Sequence, residues 1–202
     1  MNCSINKNCY FDRNIEIIKN ALDSIDEKVF ATLIDESLAT LACGNKIVVS
    51  GLGKNVPICD KFVGSMISLG LNANFLHTNS AVHGDMGMVR QGDLVIILTK
   101  SGATSESVYL EELLEKRQGV KLWLISFKEH SIMADKMKNK LIINLEHEGD
   151  PWNIMPNNST TVNLIVLQTL VMQLAVKLGL SLDKDFKPNH PGGAIGAKLR
   201  NE

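Results

Sequence analysis

Residues 99–107 read Thr-Lys-Ser-Gly-Ala-Thr-Ser-Glu-Ser and join a wholly apolar run, 94–98, to a helical pattern. Hydroxyl residues and a glycine at a strand-to-helix turn suit an anion. The first N–H groups of a helix have no intrahelical partner, and glycine lets a ligand approach the backbone. Glu106 puts a carboxylate in that turn, where it either complements the positive helix end or does chemistry beside a phosphate. Three other loops hold reactive groups: Ser50-Gly51-Leu52-Gly53-Lys54 sets a lysine in a glycine turn, residues 77–85 carry His77, His83 and Asp85, and residues 146–151 carry Glu146, His147, Glu148 and Asp150. Near the end, His190 precedes Pro191-Gly192-Gly193.

Each of these groups also has a plain structural role open to it. Lys54 could be a solvated helix-start lysine, and Glu148 and Asp150 ordinary loop charges. His83 and His190 could donate to backbone carbonyls, and His77 suits a satisfied core position. Several familiar chemistries are excluded. The glycine turn fails as G-x-G-x-x-G because its third glycine position is Val56, and no phosphate loop of the G-x-x-x-x-G-K-[ST] kind occurs. No pair of histidines has H-x-x-x-H spacing, so no metal is expected. No G-x-S-x-G elbow supports a serine hydrolase. What remains is a phosphate cradle ringed by lysine, glutamate and histidine.

These loops need a scaffold of apolar strands. Short runs at 47–49, 73–76, 94–98, 122–125 and 141–145 alternate with helical or loop-like sequence, which predicts five parallel strands with crossover helices. In such folds ligands sit beyond the carboxyl ends of the strands, where all the loops above fall. Apolar residues at helical spacing predict two leading helices ending near Cys43-Gly44. A segment at 160–180 is apolar on most faces but interrupted by Asn163, Gln168, Gln173 and Lys177, so it predicts a buried helix rather than a membrane span. Its cover comes from a second subunit or from the leading helices.

With 202 residues, 45% hydrophobic and 21% charged, the chain suits one α/β domain, residues 1–202, with residues 1–10 as an N-terminal arm. A net charge of −1 offers no general attraction to nucleic acid or to an anionic membrane. Residues 1–10 lack a signal-peptide core, which sets the expected location as the cytoplasm. Cys3, Cys9, Cys43 and Cys59 show no C-x-x-C pairing and are expected as free thiols.

Taken in order, Gly51-Leu52-Gly53-Lys54, His83-Gly84-Asp85-Met86-Gly87-Met88, the Ser101-Gly102 loop, Pro156 with Ser159-Thr160-Thr161, and His190-Pro191-Gly192-Gly193-Ala194-Ile195-Gly196 resemble the sugar isomerase (SIS) domain of arabinose 5-phosphate isomerases. The resemblance runs from about Phe11 to Leu199. It implies a flavodoxin-like three-layer α/β/α sandwich around a five-stranded parallel sheet. It also implies interconversion of D-ribulose 5-phosphate and D-arabinose 5-phosphate through an enediol, without a cofactor, feeding Kdo synthesis for lipopolysaccharide or capsule. By the same resemblance Lys54, Glu106, Glu148 and His190 form the catalytic group. Substrate contacts fall to Ser50, Gly51, Gly53, His83, Ser101, Gly102, Thr104 and Ser105. The family is tetrameric, with the histidine supplied across a subunit interface.

Within that set Glu148 is the expected proton carrier, its pKa lifted by partial burial, with His190 assisting ring opening and Glu106 and Lys54 handling hydroxyls and the enediolate. Three features depart from the family pattern. Relatives carry a second acid where this chain has Ala103. Lys100 stands where small polar residues are usual. The sequence stops at Glu202, where longer relatives continue into paired CBS domains, so no CBS domains are expected here. The alternatives are a sugar-phosphate-sensing module without catalysis, or an isomerase of another phosphosugar.

Overall fold

Every residue of the third strand, Leu94–Thr99, is buried, as a strand covered on both faces must be. The computed structural model describes residues 7–200. In chain order its elements are α1 (Lys7–Asp23), α2 (Glu27–Ala42), β1 (Ile47–Gly51), α3 (Val56–Ser68), β2 (Ala73–His77), α4 (Thr78–Ala81), β3 (Leu94–Thr99), α5 (Ser105–Glu115), β4 (Lys121–Ser126), α6 (Ile132–Lys136), β5 (Lys140–Ile142), α7 (Asn158–Lys177) and α8 (Gly193–Arg200). The strands form one parallel sheet in the order β2-β1-β3-β4-β5.

Alternate side chains of each strand feed opposite layers. Ile47, Val49, Leu94, Ile96, Leu98, Trp123 and Ile125 pack against α1, α2, α3 and α7. Val48, Val95, Ile97 and Leu124 pack against α4, α5 and α6. This is the three-layer α/β/α sandwich with a five-stranded parallel sheet that the sequence predicts. By length and composition α7 could cross a membrane. It instead buries Val162, Val166, Leu167, Leu170, Val171 and Leu174 in the larger core. Its outer flank leaves Ile165, Met172 and Val176 exposed.

The structure corrects two boundaries. The fifth strand, expected to reach 145, ends at Ile142. Ile143 N–H still donates to Ser126 O, but Asn144 N–H turns to the Ser24 hydroxyl, so a side chain of the α1–α2 corner replaces the ladder and lifts the chain off the edge. The expected arm is helical from Lys7 onward; its residues 1–6 lie outside the described region. The tail after Gly193 forms α8 and buries Leu199.

Since Leu170 is fully buried among the packed faces of α7 and the sheet, Leu170→Ala should lower stability by about 2–5 kcal/mol. Urea denaturation of the whole chain measures it.

Candidate active site

In the order 2-1-3-4-5 the connections from β1 and β3 leave for opposite faces of the sheet, and a crevice opens between their carboxyl ends. Here it has a volume of about 350 Å³ and is lined by Leu52, Gly53 and Lys54 after β1, by Thr99, Lys100, Ser101 and Thr104 after β3, and by Pro156, Ser159, Thr160 and Asn163 at the start of α7. Two glycines shape its rim. A Cβ on Gly51 would lie 2.9 Å from Asn55 Cβ and 3.2 Å from Cys59 Sγ. Gly102, at φ 63°, has no room for a side chain beside Ser131.

Glu148 stands in the wall behind Lys100 and Ser159, and its side chain is only 1% exposed. Its Oε2 accepts from the backbone N–H groups of Asn157 (3.0 Å) and Ser159 (2.9 Å). Its Oε1 accepts from the Ser159 hydroxyl at 2.7 Å and lies 2.6 Å from Lys100 Nζ. Burial alone would push this carboxyl up. Lys100, Ser159 and Asn157 together outweigh burial and hold it below its ordinary value. The lifted pKa expected from the sequence is therefore overturned: partners were invisible there, and they decide the sign.

The loop carrying Glu148 is itself braced. Asp150 accepts from the N–H groups of Trp152, Ile154 and Met155. Asn153, in the left-handed region at φ 56°, accepts from Glu148 N–H. Tyr10 donates its hydroxyl to Gly149 O, and Asn158 links His147 O to Asn14. His147 has an internal role too, accepting from Gly149 N–H through Nδ1.

The other expected residues separate into groups. Lys54, Gly53, Ser101 and Thr104 line the crevice. Ser50 does not: it is fully buried, with its hydroxyl 3.1 Å from that of Thr78. Gly51 and Gly102 are buried packing positions, and Gly102 N–H donates to the Thr99 hydroxyl. These three lie beneath the ligand surface rather than on it.

Glu106 and His83 lie together in an adjoining depression of about 260 Å³, with Thr78, Asn79, Val82 and Tyr109. The Glu106 carboxyl is fully exposed, and its own backbone N–H and the Ser105 hydroxyl hold it below its ordinary value. That bond turns Ser105 toward Glu106. His77 accepts from Asn79 N–H and meets Phe75 edge-on, a structural position.

His190 is remote. Its ring stacks on Phe186 at 3.8 Å, and Nδ1 lies 2.8 Å from Phe186 O. A carbonyl can only accept, so Nδ1 carries a proton and donates, and in the neutral ring Nε2 is the acceptor. The preceding Asn189 donates to Ser68 O at the carboxyl end of α3, whereas Lys54 precedes that helix's amino end. Thirteen residues of α3 place about 20 Å between them. Within one chain His190 does not reach the crevice.

Lys100, Ser159, Thr160 and Asn163 were missed as site residues. The signals for them were the Pro156 and Ser159-Thr160-Thr161 motif at a helix start and the departure from the family pattern at Lys100. Among the described residues no group of three or more His, Cys, Asp or Glu side chains could hold a metal ion.

The SIS domain family matches residues 40–173. The chain belongs to this family. Over 187 residues it is 33% identical to arabinose 5-phosphate isomerase KdsD of Pseudomonas aeruginosa, covering 93% of this chain and 57% of that protein. Over 159 residues it is 34% identical to arabinose 5-phosphate isomerase GutQ of Salmonella typhi, covering 79% of this chain and 49% of that protein. The chain thus spans about half the length of the curated relatives it matches. Among solved SIS domain folds, E. coli CFT073 c3406 in complex with arabinose 5-phosphate superposes over 100% of both chains, with a TM-score of 0.79 and 27% identity.

Glu148's lowered pKa has a definite linkage sign. The unfolded carboxyl, near 4.5, binds protons first, so the stabilisation is complete above that value and is lost as pH falls through the lower folded value. Ser159→Ala removes one charged hydrogen bond and should cost about 1.5–3 kcal/mol near pH 7. The deficit should shrink as pH falls below the lowered folded value, where the carboxyl is protonated in both states. Urea denaturation at a series of pH values, with the Glu148 ¹³C-carboxyl resonance followed in parallel, tests both the magnitude and the sign.

Proposed function

We propose that this SIS domain is a sugar-phosphate isomerase that interconverts D-ribulose 5-phosphate and D-arabinose 5-phosphate through an enediol. The observation that carries this is a carboxylate, Glu148, fixed by the first turn of α7 and paired with Lys100, behind the wall of a crevice that Lys54, Lys100 and the hydroxyl residues Ser101 and Thr104 line. The named activity of KdsD and GutQ, and the arabinose 5-phosphate held by c3406, support the same substrate class.

The chemistry follows from the groups present. The hydroxyls of Ser101 and Thr104 and the lysine ammonium groups anchor the phosphate, which sets the distant carbonyl end at a fixed position. Starting from the aldose, Glu148 takes the proton from C2, the C–H electrons form the C1=C2 bond, and the carbonyl oxygen at C1 becomes the enediolate oxygen. Return of that proton to C1, with the O2 proton passing to O1, yields the ketose. Lys54 is the cation placed to stabilise the enediolate. Glu106 and His83, in the adjoining depression, handle hydroxyls at the far end of the substrate.

His190 enters from a second copy of the chain. With Nδ1 engaged by Phe186 O, its Nε2 is the ring nitrogen free to assist opening of the sugar ring. The exposed Ile165, Met172 and Val176 on α7, and Trp152 and Ile154 beside the crevice, support an oligomer, expected to be a tetramer, that brings the copies together.

One observation favours a binding module without catalysis: Lys100 neutralises Glu148 and helps keep its pKa low, the opposite of what a general base near neutral pH requires. NMR of the whole chain incubated with D-ribulose 5-phosphate in D₂O decides between the two. An isomerase forms arabinose 5-phosphate and moves solvent deuterium into C2 or C1, whereas a sensor binds without exchange. Glu148→Gln should lower kcat by roughly 10²–10⁴-fold, and Glu106→Gln should reduce turnover far more than it weakens phosphate-ester binding.

A further inference from the structure

Lys100 is one of several donors to Glu148, and the others come from a separate element. Three donors from the start of α7 reach its carboxylate independently, and the amino end of that 20-residue helix adds its positive dipole. The two partners also differ in freedom. The Glu148 side chain is 1% exposed and bonded at both oxygens; the Lys100 side chain is 38% exposed. Lys100 rides on a flexible stem with three donor hydrogens and lines the crevice next to Ser101 and Thr104.

An anion entering the crevice changes the competition for that ammonium. Oε1 of Glu148 is already shared with the Ser159 hydroxyl, whereas a phosphate dianion presents several unshared oxygens and carries twice the charge. If Lys100 stayed on Glu148, Lys54 would be left as the lining cation that balances the phosphate. We propose that Lys100 is a ligand-binding cation that pairs with Glu148 until a sugar phosphate binds, then transfers to a phosphate or enediolate oxygen and uncovers Oε1 of Glu148 for proton transfer.

This rests on the sugar-phosphate reading of the crevice. It also resolves the difficulty of a neutralised base. The carboxylate is held quiet in the absence of substrate, and its basicity rises only in the complex, when one cationic partner leaves and an anion arrives. Lys100 then serves twice, as anchor and as release.

The test uses the whole chain and D-arabinitol 5-phosphate, which has no carbonyl and cannot turn over. By calorimetry, Lys100→Met should weaken its binding about tenfold or more, while Lys100→Arg, which keeps the charge, should stay within about threefold of wild type. In a crystal structure of the wild-type complex, Lys100 Nζ should lie within hydrogen-bond distance of a ligand oxygen and no longer against Glu148. Lys100 still paired with Glu148 in that complex overturns the proposal whatever the affinities, as does unchanged affinity in Lys100→Met. The two levels separate cleanly. Failure of wild type to bind arabinitol phosphate removes the sugar-phosphate reading and this inference together, whereas binding without turnover of ribulose 5-phosphate removes the isomerase alone and leaves Lys100 decided by the same crystal structure.

Discussion

A carboxylate buried at the amino end of a long helix organises this end of the molecule. Glu148 is out of water, and an ionised carboxylate in that position is tolerable only if its lone pairs are met. Asn157 N–H, Ser159 N–H, the Ser159 hydroxyl and Lys100 meet them. Each of those contacts is also a structural tie. The loop after β5 is pinned to the start of α7, and the start of α7 is pinned to the end of β3. Asp150 and Asn153 then brace that loop from within, and Tyr10 and Asn14 of α1 from outside. Satisfying one charge fixes the end of β3 against a loop and helix start that follow it by about fifty residues.

The sheet supplies the other constraint. With β1 and β3 adjacent and their connections leaving on opposite faces, the two loops cannot close over each other, and a gap must remain above their ends. What fills its rim is set by close approach. Glycine at 51 lets the turn after β1 fold down on Asn55 and Cys59, and glycine at 102 lets the loop after β3 sit against Ser131. Asn163 on α7 donates to Asn55, tying the helix to that first turn. The crevice is thus rigid on three sides, and Lys54 and Lys100 are the flexible cations that project into it.

A single chain carries two reactive clusters rather than one. Lys54, Lys100 and Glu148 belong to the crevice, Glu106 and His83 to the neighbouring depression, and His190 to the far end of α3. The proposed oligomer needs no flexibility of this segment, since a group held about one helix length away by Asn189 and Phe186 does not reach the crevice of its own chain. The same anchoring sets the tautomer of His190, so remoteness and chemical readiness have one cause.

The periodicity of apolar residues, by itself, was enough to determine the five strands, the two leading helices and the burial of α7, because a two-faced sheet and its covering helices leave no freedom in which residues are apolar. Strand ends were legible only where the ladder decides them: β3 runs as expected with Thr99 added, but β5 stops short because Ser24, 120 residues away, takes the next N–H. The order of motifs likewise fixed the loops that carry chemistry and the family they resemble. Three things lay beyond it: that Ser50 and Gly102 are buried beneath the ligand surface, that Lys100 pairs with Glu148, and that this pairing with the α7 donors lowers a pKa that burial would raise. Hydrogen-bond partners and desolvation depend on which distant residues meet in space, and only the tertiary structure decides that.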